Sequence, residues 1–265
     1  MFKKAAVFTD IHFGLKGNSK VHNQDCEDFI DWYIKQAQDA GCETGIFCGD
    51  WHHNRNSLNL TTMDATVRCM EKLGAAFEQF FFFDGNHDLP DHGELRAEDF
   101  KNQSYVFSGH FHKRQQQGVV HYLGNAFPHN YADAWDDDRG MMILDRENNK
   151  EPEYLNWEDC PKYRTVKLSK LIDEADSFIK PNMYLRVNLD LPISYEEASF
   201  IKETFINQYN CREISLIPQK SLEEISTQLD IQQFESVDQI VAGEIAAIDS
   251  DNFNKKTLMD IYNEL

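Results

Sequence analysis

The feature that most constrains this chain is a repeated punctuation. Four short apolar runs each stop at a small cluster of glycine, aspartate, asparagine and histidine. Ala5 to Phe8 leads into Thr9-Asp10-Ile11-His12, Gly45 to Cys48 into Gly49-Asp50-Trp51-His52-His53, Gln79 to Phe83 into Gly85-Asn86-His87-Asp88, and Tyr105 to Phe107 into Gly109-His110-Phe111-His112. Short apolar runs bounded by such residues read as buried strands. Between them, Gln24 to Ala40 carries Phe29, Trp32, Tyr33 and Ala37 at helical spacing and stops at Gly41, and Thr62 to Leu73 stops at Gly74. Glycine just past a periodic run is a helix stop signal. Strand alternating with helix predicts an α/β core with right-handed crossovers. In open sheets of this kind sites assemble outside the carboxyl ends of the strands, so the four punctuated loops are expected to converge.

What would converge is carboxylate, imidazole and amide oxygen, with no thiolate. That donor set suits divalent Mn, Fe or Zn and disfavours a structural cysteine–zinc site. All ten histidines lie between His12 and His129, which places the metal-capable chemistry in the first half of the chain. His52 and His53 read as support for a metal loop or as a substrate contact, and His22, His121 and His129 as satisfied loop or edge histidines. Six cysteines are scattered with no CxxC spacing, which fits reduced, buried thiols. The first apolar run ends at an aspartate and no stretch approaches the roughly 18 to 20 apolar residues of a membrane span. These readings point to a cytoplasmic protein without a membrane partner.

The second half differs. After an acidic loop at Asp136 to Asp138 comes a strand, Gly140 to Leu144, which closes a first domain at about residue 150. Residues 160–218 read as a small α+β cap with strands at Thr165 to Leu168, Met183 to Leu189 and Glu213 to Ile217 and a helix at Tyr195 to Tyr209. Residues 221–265 hold ten acids and two lysines, with apolar residues from Ile231 to Ile245 at helical spacing, and read as an acidic helical tail that packs on the domain or docks a partner. A formal charge of −19 leaves no basic stripe for gripping nucleic acid unaided, so positive charge at a phosphate would have to come from metal ions or a partner.

The ordered motifs Asp10-x-His12, Gly49-Asp50, Gly85-Asn86-His87-Asp88 and Gly109-His110-x-His112 resemble those of the calcineurin-like metallophosphoesterases. The resemblance covers about the first 145 residues. With the cap, the tail and the segment Tyr122-Leu123-Gly124-Asn125, it is similar to the nuclease subunits of SbcCD-type DNA repair and recombination complexes, of which tailed phages carry close versions. A phage origin would place the chain in the cytoplasm of its bacterial host. The resemblance implies an αββα sandwich and a manganese-dependent exonuclease or endonuclease with two divalent metal ions. It also implies DNA as substrate and an SMC-like coiled-coil ATPase as partner through the cap and tail, and it allows a homodimer. Asp10, His12, Asp50 and His112 would hold the first metal, and Asp50, Asn86 and His110 the second. His87 would protonate the leaving oxygen and Asp88 would orient it.

One family motif has no counterpart. Only twenty residues, Leu89 to Ser108, separate Asp88 from Gly109, and the stretch from Leu89 to Phe100 holds a proline, a glycine, several acids and no apolar run. A strand whose closing histidine ligates the second metal is therefore missing, and the sandwich is expected to be reduced in strands. Two alternatives follow: an assembly subunit impaired by the loss of one metal ligand, or a phosphatase or phosphodiesterase of the same superfamily.

Overall fold

The computed structural model describes residues 2–54, 57, 59–85, 105–148 and 150–218, with residues 245, 255 and 257 besides. It divides into two compact units, Met1–His129 with Asp136–Pro161, and Asn130–Trp135 with Lys162–Leu265.

The first unit is built on strands β1 (Lys4–Phe8), β2 (Thr44–Phe47) and β3 (Gln79–Phe82), followed by β4 (Val106–Ser108), β5 (Gln115–Gln117), β6 (Val120–Tyr122), β7 (Gly140–Asp145) and β8 (Glu153–Asn156). Five of them form a sheet in the order β3-β2-β1-β7-β8, with β1, β2 and β3 parallel and β7 and β8 antiparallel to their neighbours. The parallel pairs need helical crossovers. Helix α2 (Lys20–Asp39) supplies one, after a distorted helical turn α1 (Leu15–Asn18), and helix α3 (Leu60–Ala76) supplies the other. Each long helix starts at a side-chain cap, Ser19 accepting from the His22 N–H and Asn59 from the Thr61 N–H.

Strand alternation assigns the layers. Ala6 and Phe8 of β1 join Phe29, Ile30 and Tyr33 of α2 and Ala65, Cys69 and Leu73 of α3 in one buried cluster. Val7, between them in sequence, faces the other way and packs with Met142, Leu144 and Tyr154 of the same sheet and with Phe107 and Leu123. Phe107 belongs to a second, three-stranded sheet of order β4-β6-β5. Helices, five-stranded sheet and three-stranded sheet are thus stacked in that order. The Tyr33 hydroxyl donates to the Ala6 carbonyl at 2.8 Å and ties α2 to the central strand.

The fold is mixed α/β, as the alternation of runs implies. Two features differ from the sequence reading. The fourth apolar run does not extend the main sheet but pairs with β6, and β5, β6 and β8 have no expected counterpart. Strand β5 is Gln-Gln-Gln, exposed throughout, so it carries no hydrophobic alternation and is held by its antiparallel pairing to β6.

In the second unit β9 (Tyr163–Lys167), β10 (Tyr184–Leu189) and β11 (Glu213–Pro218) form a parallel sheet of order β11-β10-β9. Its crossovers are α4 (Leu168–Phe178) and α5 (Tyr195–Gln208), the latter opened by a capping box between Ser194 and Glu197. Helix α4 is absent from the sequence reading, which ended a strand at Leu168. That residue instead begins the helix, and Leu168, Leu171 and Ala175 bury its inner face against Val187 and Ile214. The acidic tail read over residues 221–265 lies outside the described residues, except for 245, 255 and 257. Among the described residues no helix is long and apolar enough to cross a membrane.

Candidate metal centre

The backbone is contorted where the predicted ligands sit. Asp10 (φ 51°), His12 (φ 53°), Asp50 (φ 62°) and His110 (φ 73°) all occupy the left-handed region without being glycine. Each such residue costs on the order of 1–3 kcal/mol and persists only where its surroundings over-determine it. Here the surroundings are visible. The loop after β1 runs beside the loop after β2: Asp10 N–H donates to the Gly49 carbonyl at 2.9 Å, His12 N–H to Asp50 at 3.1 Å and Phe13 N–H to Trp51 at 2.8 Å. Thr9 Oγ1 donates to Asp10 Oδ2 at 2.7 Å and fixes the carboxylate plane.

The third and fourth loops press their backbones onto the two aspartates. A Cβ on Gly85 would overlap Asp50 Oδ1, and one on Gly109 would stand 2.5 Å from Asp10 Oδ2. These close approaches give both glycines a physical reason. Four chain segments therefore meet at one place, three from the ends of β1, β2 and β3 and one from β4 of the second sheet.

Within it, Asp10, His12 and His112 have ligand atoms all within 4.8 Å of one another and could hold a metal ion. His12 Nε2 stands 3.8 Å from Asp10 Oδ1 and 3.9 Å from Asp50 Oδ2, and His112 Nε2 is 3.8 Å from Asp10 Oδ1. Metal–ligand bonds of about 2.0–2.2 Å reach donor pairs up to ~4.4 Å apart, so these spacings suit a shared cation with little adjustment. Asp10, His12 and Asp50 are almost wholly buried, whereas the His112 side chain is 39 % exposed and marks the open side. Burial pushes the Asp10 carboxyl up, but hydrogen bonds from His12 and Thr9 and the charges of His12 and His112 outweigh it and hold the group below the usual carboxylate range. The site thus keeps an ionised oxygen donor between imidazoles. Cys48, beside it, is pushed up to about 12 by burial and by Asp10, which leaves a neutral thiol rather than a ligand. All six cysteines are free.

His110 is placed differently from the others. Its backbone N–H donates to both Asp10 oxygens, at 3.1 and 3.2 Å, while its ring packs edge-on against Phe111 and lies outside the three-residue cluster. Asn86, His87 and Asp88 lie outside the described residues, so their placement relative to Asp50 is not described. Of the other histidines, His53 lies with its ring 5.7 Å from that of His12, and His52 bridges to Phe13.

Several participants escaped the sequence reading. His22 lies on α2 and not in a loop, and His129 is a loop residue as read, but both are buried: His22 Nε2 lies 3.0 Å from the His12 carbonyl, and the His129 ring lies against those of His12, His22 and His112. The Asn125 N–H donates to the His112 carbonyl at 3.0 Å, and the Asn125 side chain accepts from buried Arg139, which Asp136 pairs at 2.8 Å. The Asp136-to-Asp138 run followed at once by an arginine was the one available signal for that support.

Against models of known protein families and against curated proteins the chain finds no match.

Proposed function

We propose that the chain is a metallophosphoesterase of the calcineurin-like kind, with the αββα sandwich reduced on the side of the missing strand, and that it hydrolyses DNA phosphodiesters as the nuclease subunit of a recombination-repair complex. The observation that carries this reading is the meeting of Asp10, His12 and His112 at a buried carboxylate, with Asp50 Oδ2 at 3.9 Å from His12. A carboxylate–imidazole donor set without thiolate fits hard-to-borderline divalent ions such as Mn2+.

In this reading Asp10, His12, Asp50 and His112 would hold one divalent cation, and Asp50, Asn86 and His110 would hold a second. Such cations, when bound, supply a water of lowered pKa and a positive clamp on the phosphoryl oxygens. The chain's own residues do the remaining work. Asp10 stays ionised because the Thr9 hydroxyl donates to it and the His12 and His112 imidazoles stand close by. The half-exposed side of His112 admits the phosphate. By the family resemblance, His87 would donate the proton to the leaving oxygen and Asp88 would orient it. The −19 charge assigns DNA attraction to bound cations and to a coiled-coil ATPase partner engaged through the cap and tail.

The test is Mn2+-dependent degradation of linear duplex DNA by the chain together with its ATPase, compared with Asp10→Asn and His87→Ala. Activity in the parent and its loss in both variants supports the reading, and equal inertness of all three removes it. A second reading, an assembly subunit of weakened catalysis, is favoured by one observation of the sequence: the short stretch from Leu89 to Ser108 leaves no room for the family's additional strand and its metal-ligating histidine. Metal stoichiometry separates them, since two manganese ions per chain support the nuclease and one supports the assembly role.

A further inference from the structure

His129 has no role in the chemistry above, yet it sits at its centre. It is 1 % exposed, and its ring meets His12 edge-on at 5.4 Å and 85°, His112 at 5.7 Å and 83°, and His22 at 5.5 Å and 77°. The rings of His12 and His112 are themselves 5.2 Å apart, so the three form a nearly equilateral triangle. Phe127 closes the side away from the ligands at 4.9 Å and 83°. The segment that delivers His129 is pinned to the same loops, through Asn125 N–H on the His112 carbonyl at 3.0 Å and Ala126 N–H on the Asp10 carbonyl at 3.4 Å.

We infer that His129 is a positioning residue, a rigid flat spacer that sets the separation and tilt of the two metal-ligating imidazoles His12 and His112. The inference rests on the metal-binding reading given above. Its physical basis is the edge-to-face packing of flat rings, which resists sliding of one ring past another. Two ligand rings held by one wedge cannot rotate independently, so their rotamers are fixed on folding and not when the cation arrives. His22 completes the support from below: its Nε2 lies 3.0 Å from the His12 carbonyl, and since a carbonyl only accepts, Nε2 carries the proton.

The test is calorimetric titration of the folded chain with Mn2+ alone, using His129→Leu, of similar volume but not flat, and His129→Phe, which keeps a flat ring and no nitrogen. The expected result is a loss of about tenfold or more in affinity for Leu, as for other groups that orient metal ligands, and near-parental affinity for Phe. Parental affinity in both variants overturns the inference. Loss in both also overturns it, because a nitrogen and not the ring's shape would then matter. Should the substitutions prevent folding, long-range 1H–15N imidazole spectra of the unsubstituted chain with Zn2+ decide. Ligation-sized shifts confined to His12 and His112 support the spacer, and a shift of that size at His129 overturns it. Absence of any metal binding by the parent would instead remove the metal-site reading itself.

Discussion

The amide of His110 donates to both carboxylate oxygens of Asp10, at 3.1 and 3.2 Å, and it reaches them because Gly109 has no Cβ to hold the two loops apart. A methyl group there would stand 2.5 Å from Asp10 Oδ2 and closer still to Thr9 Oγ1. Neither atom can retreat, since both are buried and Thr9 is bonded to Asp10 and to the Gly49 carbonyl. Gly109→Ala should therefore cost about 2 kcal/mol by overpacking. It should also weaken divalent-metal affinity, as the carboxylate is displaced. Urea unfolding and Mn2+ titration measure the two effects separately.

His110 and His112 are two residues apart in one motif and play different parts. His112 belongs to the donor cluster, whereas the His110 ring leans on Phe111 and its backbone contacts Asp10. Ligand bound to the folded state alone stabilises by about 2.7 kcal/mol at a hundred times Kd. Mn2+ at that excess should raise the melting temperature of the parent, and the shift should be smaller in His112→Ala, which loses a ligand of the described cluster, than in His110→Ala, which keeps that cluster whole. Equal thermal shifts in all three would detach His112 from the metal.

How much of this was legible in the sequence depends on what each element leaves in the pattern. Strands β1 and β2 and helices α2 and α3 each bury a face, so their residues alternate or repeat. Strand β3 is largely exposed and stands out only as an apolar run, and Gly74, read as the stop of α3, lies inside that helix, which runs on to Ala76. Strand β5 is Gln-Gln-Gln and owes its existence to a backbone partner, which no side-chain pattern records. Helix α4 is legible and is missed: Leu168, Leu171, Ile172 and Ala175 recur at helical spacing, but the sequence reading assigns Leu168 to the end of the preceding strand. At the site, Asp10, His12, Asp50 and His112 were readable because ligand chemistry and strand-end glycines coincide. His22, His129 and Arg139 act through packing and hydrogen bonds with residues distant in sequence, and spacing carries no trace of them.

Arg139 is the clearest of these. It is 1 % exposed, paired with Asp136, and bonded to the side chain of Asn125, whose own amide holds the His112 carbonyl. Removing one partner of a buried charge pair leaves the other uncompensated and typically costs about 3–5 kcal/mol. Asp136 is partly open to water, so Arg139→Met should fall near the lower end of that range. The same change frees Asn125, so Mn2+ affinity should drop as well. Denaturant midpoints with and without metal separate the two losses, and an unchanged affinity in the folded variant would sever Arg139 from the site.

Acid should destabilise the metal-free chain well before the carboxylates titrate. Burial holds His22 down at about 3 and His129 well below the ordinary histidine value of 6.5. In the unfolded chain both titrate near 6.5, so below that pH the unfolded state binds protons that the folded state refuses. Stability then rises with pH, and the contribution is complete above about pH 6.5 and lost as pH falls towards the folded values. His22 contributes up to about 1.4 kcal/mol per pH unit in that window, and His129 adds to the slope in the same direction. Asp10 is silent there, because its carboxyl lies below the usual range and its share is lost only at still lower pH. With chelator present, urea midpoints at pH 7, 6 and 5 should fall steeply. His22→Gln, whose amide can still donate to the His12 carbonyl, should reduce the slope. A slope unchanged by that substitution would mean that His22 titrates alike in the folded and unfolded chain.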